Sequence, residues 1–400
     1  DHWGNPSDLC DQTFTVVANM DVDGLPDAVT FAKGAFAVIF DDLRVRTTGD
    51  LIIELIDANG AVVFRSNPCR ISGSARLLPY WGDLHGQSEE TIGTNSARDF
   101  YEFARDKAFL DICVHQGNDF QITNDFWKHL NELSAEFTVD DSFIVFPGWE
   151  WSGNTALGGD RNILHLHEGR PIHRSSHALV DDLSDTGSDE NSAQGLFRAL
   201  DGEDCTVFAH IGGRYADIKM AHDDRLERSV EVHSAWGTFE WLINDAFEQG
   251  YRVGIVSNSD GHKGRPGASH PGSSKFGSYG GLTCVLASSF TRAGLMEALK
   301  KRHHYGTTGS RVILSTGVEF DTKAELFPED PNLGDVRSEI VDRAMMGDIL
   351  RSGDQSVIFK VDVHGPSPIE RIDIRNGLET VEVFRPYAEN EPGRRIRVIW

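Results

Sequence analysis

The sequence predicts an α/β fold in which a β/α unit of parallel strands is flanked on both sides by β-rich units. Strand-like and helix-like segments alternate from about Tyr80 to Arg311, an order that builds parallel strands in a barrel or a doubly wound sheet. Outside that stretch helical periodicity disappears, leaving short apolar runs between turn residues. The length, 400 residues, exceeds one small core at roughly 150 residues per domain, although an α/β barrel alone can use about 250. The units expected are residues 1–76, 77–312 and 313–400.

The first unit reads as a small β-sandwich. Phe14–Val17, Ala35–Phe40, Leu51–Ile56 and Ala61–Phe64 are short apolar runs, and Asp23-Gly24 and Asn59-Gly60 are turn signals between them. In the central unit Ala97, Phe100, Tyr101, Ala104 and Ala108 recur at helical spacing, and Ser96 with Asp99 resembles a capping box. A second helix carries Phe126, Trp127, Leu130 and Leu133. Further helices are expected over Ala193–Leu200, Phe239–Phe247 and Ala293–Leu299. Strands are expected at Leu110–Val114, Phe143–Phe146, Ile163–Leu166, Val207–Ala209, Val230–Val232, Val253–Val256 and Leu282–Ala287. In the last unit Val312–Leu314, Ser356–Val363, Ile369–Ile374, Thr380–Phe384 and Ile396–Trp400 read as strands, and 324–343 reads as an acidic loop. The chain ends on a strand pattern, so the native protein is expected to continue.

Composition narrows the function classes. The net charge of −24 repels nucleic-acid phosphates and anionic lipid. No apolar run approaches the roughly 20 residues of a membrane span. A small-molecule substrate is therefore expected, with neither nucleic acid nor membrane as partner, and a homo-oligomer is compatible. The cysteines at 10, 69, 113, 205 and 284 are odd in number and dispersed, without CxxC. That pattern fits a reducing, cytoplasmic location. Residue 1 is Asp rather than Met, so a processed start keeps a periplasmic or secreted location open.

The chemistry is read from position. His85 follows the run at Tyr80, His115 follows Val114, and Glu150 follows Phe146 through Pro147-Gly148-Trp149. His210 follows Ala209, His233 follows Val232, and Asp260 and His262 follow Val256. In β/α folds the C-terminal ends of parallel strands converge on one face, where sites are built. Imidazole and carboxylate together suit a borderline divalent ion, and such an ion lowers the pKa of a bound water from 15.7 to about 7. A single histidine after a strand is more often a loop or capping residue, but a series on successive strands is hard to obtain that way. Asp-Gly at 260–261 is also a turn dipeptide. His165 and His167 alternate onto one face; His165 stands as a secondary candidate. The sequence has no GxSxG elbow, Walker A loop or GxGxxG after a strand. The Gly/Ser-rich run 272–281 reads as a loop over the site.

As a set, Asp83-Leu-His85-x-Gln87, Gly148-Trp-Glu150, Ala209-His210 and Ser259-Asp260-x-His262 resemble the ordered motifs of the polymerase and histidinol phosphatase (PHP) superfamily. They are more similar still to a large uncharacterised bacterial branch of it, with phrases such as Gly82-Asp-Leu-His-Gly-Gln-Ser88, His115-Gln-Gly-Asn-Asp-Phe120, Glu231-Val-His-Ser-Ala-Trp-Gly-Thr-Phe239 and Tyr305-Gly-Thr-Thr-Gly309. The resemblance covers about residues 10–400. It implies a distorted (β/α)7, TIM-like barrel with metals at the strand C-termini, hydrolysis commonly of phosphoesters, and β-sandwich-like domains before and after. It carries His85, Glu150, His210, Asp260 and His262 over as ligands. His115 follows less closely, because the usual Asp-His reads here as His-Gln-Gly-Asn-Asp. Gln87 replaces the second histidine of the first motif and Ile92 a later ligand, so one or two ions are expected rather than three.

The expected function is hydrolysis by metal-activated water of an ester, phosphoester or amide bond in a small organic substrate. Mn²⁺, Zn²⁺ or Fe²⁺ would be held by His85, His115, Glu150, His210, Asp260 and His262. His233 is the candidate for leaving-group protonation, with Gln87 and Asp119 in supporting catalytic roles. Asn118, Arg161, Arg265 and Trp151 are candidate substrate contacts. The alternative is a catalytically degenerate barrel that binds a carbohydrate or a partner.

Overall fold

Turn chemistry organises the first strands. At 57–61, Asp57 Oδ1 accepts hydrogen bonds from the Asn59 and Ala61 N–H groups at 2.9 and 2.8 Å, and Gly60 supplies φ +79°. The computed structural model describes residues 7–270, 278–353 and 356–387. Strands β1 (Thr13–Ala18), β2 (Ala28–Thr30), β4 (Ile53–Ile56) and β5 (Val62–Arg65) form an antiparallel sheet in the order β2-β1-β4-β5, and β3 (Gly49–Leu51) pairs with β6 (Cys69–Ile71). The strand expected at 35–40 is irregular backbone.

The alternation expected downstream is present. It runs β7 (Leu78–Asp83), α1 (Ala97–Asp106), β8 (Ile112–Val114), α2 (Asn124–Phe137), β9 (Ile144–Phe146), β10 (Gly148–Trp151), β11 (Arg161–His165), α3 (Ala193–Ala199) and β12 (Cys205–Ala209). It continues through β13 (Glu227–Ser234), β14 (Gly237–Thr238), α4 (Trp241–Glu248), β15 (Gly254–Ser257), β16 (Leu282–Ala287), α5 (Arg292–Lys300) and β17 (His304–Thr307). The Ser96–Asp99 capping box opens α1, whose Phe100, Tyr101 and Ala104 are buried, and α2 buries Trp127, Leu130, Leu133 and Phe137 in the same core. No described helix is long and apolar enough to cross a membrane.

The expectation of parallel strands throughout needs correction. One sheet, β17-β16-β7-β8-β9, is parallel only across β7, β8 and β9. The other runs β10-β11-β12-β13-β14 with β15 on β13; β12, β13 and β15 are parallel, and β11 is antiparallel to both neighbours. The cause is chain length. Only residues 152–160 connect β10 to β11, short of the dozen or so that a parallel crossover requires. Two isolated parallel bridges, Gly86–Gly261 and Asn118–Glu150, join strand ends of the two sheets.

After residue 312 no α-helix follows among the described residues. β18 (Ile313–Phe327) pairs with β19 (Glu339–Met345), β20 (Ile349–Arg351) and β21 (Val357–His364), and β22 (Ile372–Asn376) with β23 (Glu379–Phe384) form a hairpin. The acidic stretch 324–343 is therefore partly strand, at the end of β18 and the start of β19. The strand expected at 396–400 and most of the loop expected at 272–281 lie outside the described residues.

Candidate metal centre

The loops after the strands are tied to one another before any ligand is considered. Asp83, at the end of β7, accepts hydrogen bonds from Ser259 N–H at 2.9 Å and Gly267 N–H at 2.8 Å. Asn258 Oδ1 accepts one from Leu84 N–H at 2.9 Å. These contacts bring the His85 and Asp260 segments together across the sheets. Glu150 leaves β10 and His210 leaves β12 toward the same point.

Four buried side chains, His85, Glu150, His210 and Asp260, each offer a ligand atom, and these atoms all lie within 4.8 Å of one another. His85 Nε2 is 3.3 Å from Glu150 Oε2 and from Asp260 Oδ1, and His210 Nε2 is 3.3 Å from Asp260 Oδ2. Such spacings exceed a good N–H···O bond. They match the edge of about 3.4 Å expected of a tetrahedron with 2.1 Å metal–ligand bonds. Asp260 Oδ1 is buried without a hydrogen-bond partner, a costly arrangement unless a cation occupies its lone pair. Asp260 itself sits at φ +45°. A Cβ at Gly212 would lie 2.5 Å from His210 Nε2, so glycine keeps that face of the imidazole clear.

The opposite sides of both rings are held by one carboxylate. His210 Nδ1 donates to Glu231 Oε1 at 2.8 Å, and His85 Nδ1 lies 3.2 Å from both Glu231 oxygens. Asn258 Nδ2 donates to Glu231 Oε2 at 2.6 Å. Burial pushes the Glu231 carboxyl up, but His85 and His210 outweigh it and hold the group at about 2. A carboxylate on Nδ1 fixes the tautomer and leaves Nε2 for an ion. The donors, their spacing and the bare Asp260 oxygen all fit a divalent cation.

Beside this cluster is a cavity of about 200 Å³ lined by Gln87, Asn118, Arg214, Trp236 and His262 together with Glu150, His210 and Asp260. Arg214 is the cation of this wall. Its Nε donates to Asp160 Oδ1 at 2.8 Å, and an Nη lies 3.6 Å from Glu150 Oε1.

The remaining expected residues divide. His262 borders the cavity, but its Nδ1 is 2.8 Å from the Asp260 carbonyl and it lies outside the four-residue group. Gln87 also borders it, with Oε1 accepting from Thr91 Oγ1 at 2.9 Å; Asn118 Nδ2 donates to Ser152 Oγ at 2.9 Å. His115 is turned away from the cluster. Its Nε2 is 2.7 Å from Ser88 Oγ, its Nδ1 accepts from Gly117 N–H at 3.2 Å, and its ring packs edge-on to Phe100 and Phe126. Burial and the His85 charge pull its pKa down to about 3, so it is neutral.

His233 has both ring nitrogens engaged, with Thr238 Oγ1 at 2.7 Å and the Tyr279 carbonyl at 2.9 Å, and does not line the cavity. Asp119 is a buried anchor that accepts from Ser152 N–H at 3.1 Å and from Ser175. Trp151 is core, its Nε1 donating to the Glu190 carbonyl at 2.7 Å. Arg161 is fully buried in an ion pair with Glu227 at 2.7 Å, which corrects its expected role as a substrate contact. Arg265 is half-buried outside the lining. His165 is stacked under Trp149 at 5.0 Å. Sequence reasoning did not single out Glu231, Arg214 or Asp160. Glu231 carried a usable signal: it stands two residues before His233 on β13, so a regular strand would put both on one face, and a register shift between them lets Glu231 reach the cluster while His233 does not.

Residues 257–374 match the family described as "Protein of unknown function (DUF3604)". Uncharacterized proteins of Chlamydia pneumoniae and Chlamydia trachomatis serovar D are 25% identical over 306 and 304 residues, covering 70% of this chain. The chain spans about half the length of these relatives, 47% of each. Among solved structures it is similar to a two-domain protein containing a predicted PHP-like metal-dependent phosphoesterase from Bacteroides vulgatus ATCC 8482. That match has 11% identity, a TM-score of 0.42, and covers 76% of this chain and 91% of the other. An Endonuclease Q complex with a duplex bearing an abasic lesion matches at 14% identity and a TM-score of 0.35, over 56% of this chain and 57% of that one.

Proposed function

We propose that this chain is a metal-dependent hydrolase that acts on an anionic ester, a phosphoester before a neutral ester or amide. The observation that carries the reading is the buried set His85, Glu150, His210 and Asp260, whose two imidazoles are backed by one carboxylate. One ion fits this set, Mn²⁺, Zn²⁺ or Fe²⁺ by donor type. When bound, such an ion supplies a Lewis acid and a water of lowered pKa. The protein's own part is orientation. Glu231 fixes both rings, Asp160 holds the Arg214 guanidinium beside Glu150, and Arg214 is the lone Lys or Arg among the described lining residues. A guanidinium there favours an anionic group on the substrate. Gln87, Asn118 and His262 offer further polar contacts on the same wall.

The same reading extends to the scaffold. Through the bridges Gly86–Gly261 and Asn118–Glu150, strands β7, β8, β9–β10, β11, β12, β13 and β15 would make one distorted seven-stranded barrel, with β-rich domains at 1–76 and 313–400.

Elemental analysis of protein purified without added metal or chelator tests the proposal, beside Asp260→Ala and a paired screen of aryl phosphate and aryl acetate. About one equivalent of Mn, Zn or Fe, lost in Asp260→Ala, is expected. So is a metal-dependent preference for the phosphate that Arg214→Met removes. Protein that takes up no ion after incubation with each metal would reject the reading in favour of a binding protein.

A further inference from the structure

A second cavity, of about 460 Å³, lies between the start of β15, the start of β17 and the turn before β20. It meets β15 at Gly254 and Ile255, the end opposite to the one that leads to Asp260, so it is remote from the metal cluster. Its size falls within the range of small-molecule sites. Its walls are mostly apolar, with Val253, Ile255, Leu314 and Leu350 among them, and Ile255 is 37% exposed although it belongs to a strand of the central sheet.

The polar part of the lining is unusual. Arg302 is 5% exposed, and among the described residues its hydrogen bonds go to carbonyls, Gly347 O at 3.2 Å and Lys300 O at 3.5 Å. Among the described residues no carboxylate forms an ion pair with it. The nearby acids are engaged elsewhere. Asp330 takes Arg252 at 2.8 Å, and Asp348, which also lines the cavity, takes His303 Nε2 at 3.0 Å and Met345 N–H at 2.9 Å. His304 is satisfied by Ser229 Oγ at 2.9 Å and the Ile255 carbonyl at 3.0 Å. Arg228 adds a further cation close by, with Glu329 at 3.9 Å as its ion-pair partner. Burial and Arg228 pull the Arg302 pKa down to about 10, against the smaller opposing effects of Asp330 and Asp348. A buried charge is retained at low cost only when it is paired.

We propose that this cavity binds a small organic carboxylate. Arg302, with Arg252 beside it, receives the carboxylate, and Ile255, Leu314 and Leu350 cover the hydrocarbon. A single planar guanidinium suits the two oxygens of a carboxylate, and the adjacent Asp348 disfavours a dianion. The proposal is independent of the hydrolase reading, because none of these residues borders the metal cluster.

Calorimetric titration of the full chain with octanoate, octylamine and octanol tests it. Octanoate is expected to bind at least about tenfold more tightly than octanol, with octylamine not binding, and Arg302→Met should weaken octanoate by about tenfold or more. Ile255→Trp, at the exposed edge of the cavity, should abolish octanoate binding while metal content stays unchanged. That variant decides the question if Arg302→Met fails to fold. Equal affinity for octanoate and octanol, no octanoate binding, or binding that survives Ile255→Trp would each overturn the proposal.

Discussion

At the scale of single residues, the side chain that most controls the candidate centre would not contact the ion at all. Glu231 receives both Nδ1 atoms of the clustered histidines, His85 and His210, and is itself held by Asn258. In Glu231→Gln one oxygen acceptor is replaced by a donor, so the two imidazoles can no longer both be held in the tautomer that frees Nε2. Metal affinity is expected to fall about 10–100-fold, with the far-ultraviolet circular dichroism unchanged. Competition against a chromophoric chelator measures this. An unaltered affinity would reduce Glu231 to a packing residue. The four clustered residues were legible in the sequence because each follows an apolar run. Which way a ring turns was not legible. His115 and His233 satisfy the same positional rule, yet Ser88 and Gly117 hold one and Thr238 and Tyr279 the other.

At the scale of elements, the alternation of strands and helices was readable from periodicity, whereas strand direction and pairing depended on connections that periodicity does not weigh. The β10–β11 link was short enough to signal an antiparallel turn, and the long β18 was hidden by its polar, acidic face. Arg161 shows a related blind spot, since charge alone suggested an anion contact and only burial reveals the structural role. Its guanidinium, on β11, meets Glu227 on β13 at full burial, and His222 Nδ1 meets the other Glu227 oxygen at 2.9 Å. Removing one partner of a buried pair strands the other, so Arg161→Met should cost about 3–5 kcal/mol in urea denaturation. Arg161→Met combined with Glu227→Leu should recover most of that loss. A single-variant cost below about 1 kcal/mol would show that the pair is dispensable.

His222 gives this cost a pH dependence. Burial pulls its imidazole down, but Glu227 and Asp224 outweigh that and raise its pKa above 6.5. A raised folded-state pKa means stability fully present below about 6.5 and lost as pH rises through the folded value. The Arg161→Met deficit should therefore be smaller at pH 6 than at pH 9, since protonated His222 still balances Glu227. A deficit independent of pH would break that link.

At the scale of the whole molecule, the N-terminal and C-terminal β-rich parts are stitched together by charge. Asp50 on β3 takes Arg70 of β6 in a bidentate pair, at 2.5 and 2.9 Å, and His364 at the end of β21 at 2.7 Å. Arg70 also reaches Asp362 on β21. The Arg70 hydrogen bond is the largest influence on the Asp50 carboxyl, which stands at about 2 instead of 3.8 despite an opposing effect of burial. A depressed folded-state pKa stabilises the protein above about 3.8, and the contribution disappears as pH falls through about 2. The groups are partly exposed to solvent, so screening keeps the net effect within about 1 kcal/mol. Thermal unfolding of the full chain and of Asp50→Asn should therefore differ modestly at pH 7 in low salt. The difference should shrink in 0.5 M salt, where the Debye length falls to roughly 4 Å, and vanish near pH 2. With a net charge of −24, salt also relieves general repulsion in both proteins, so the informative quantity is the difference between them rather than either midpoint. A gap that persists at pH 2 would mean that Asp50 acts through packing, and the two β-rich parts would then be held together by something other than this cluster.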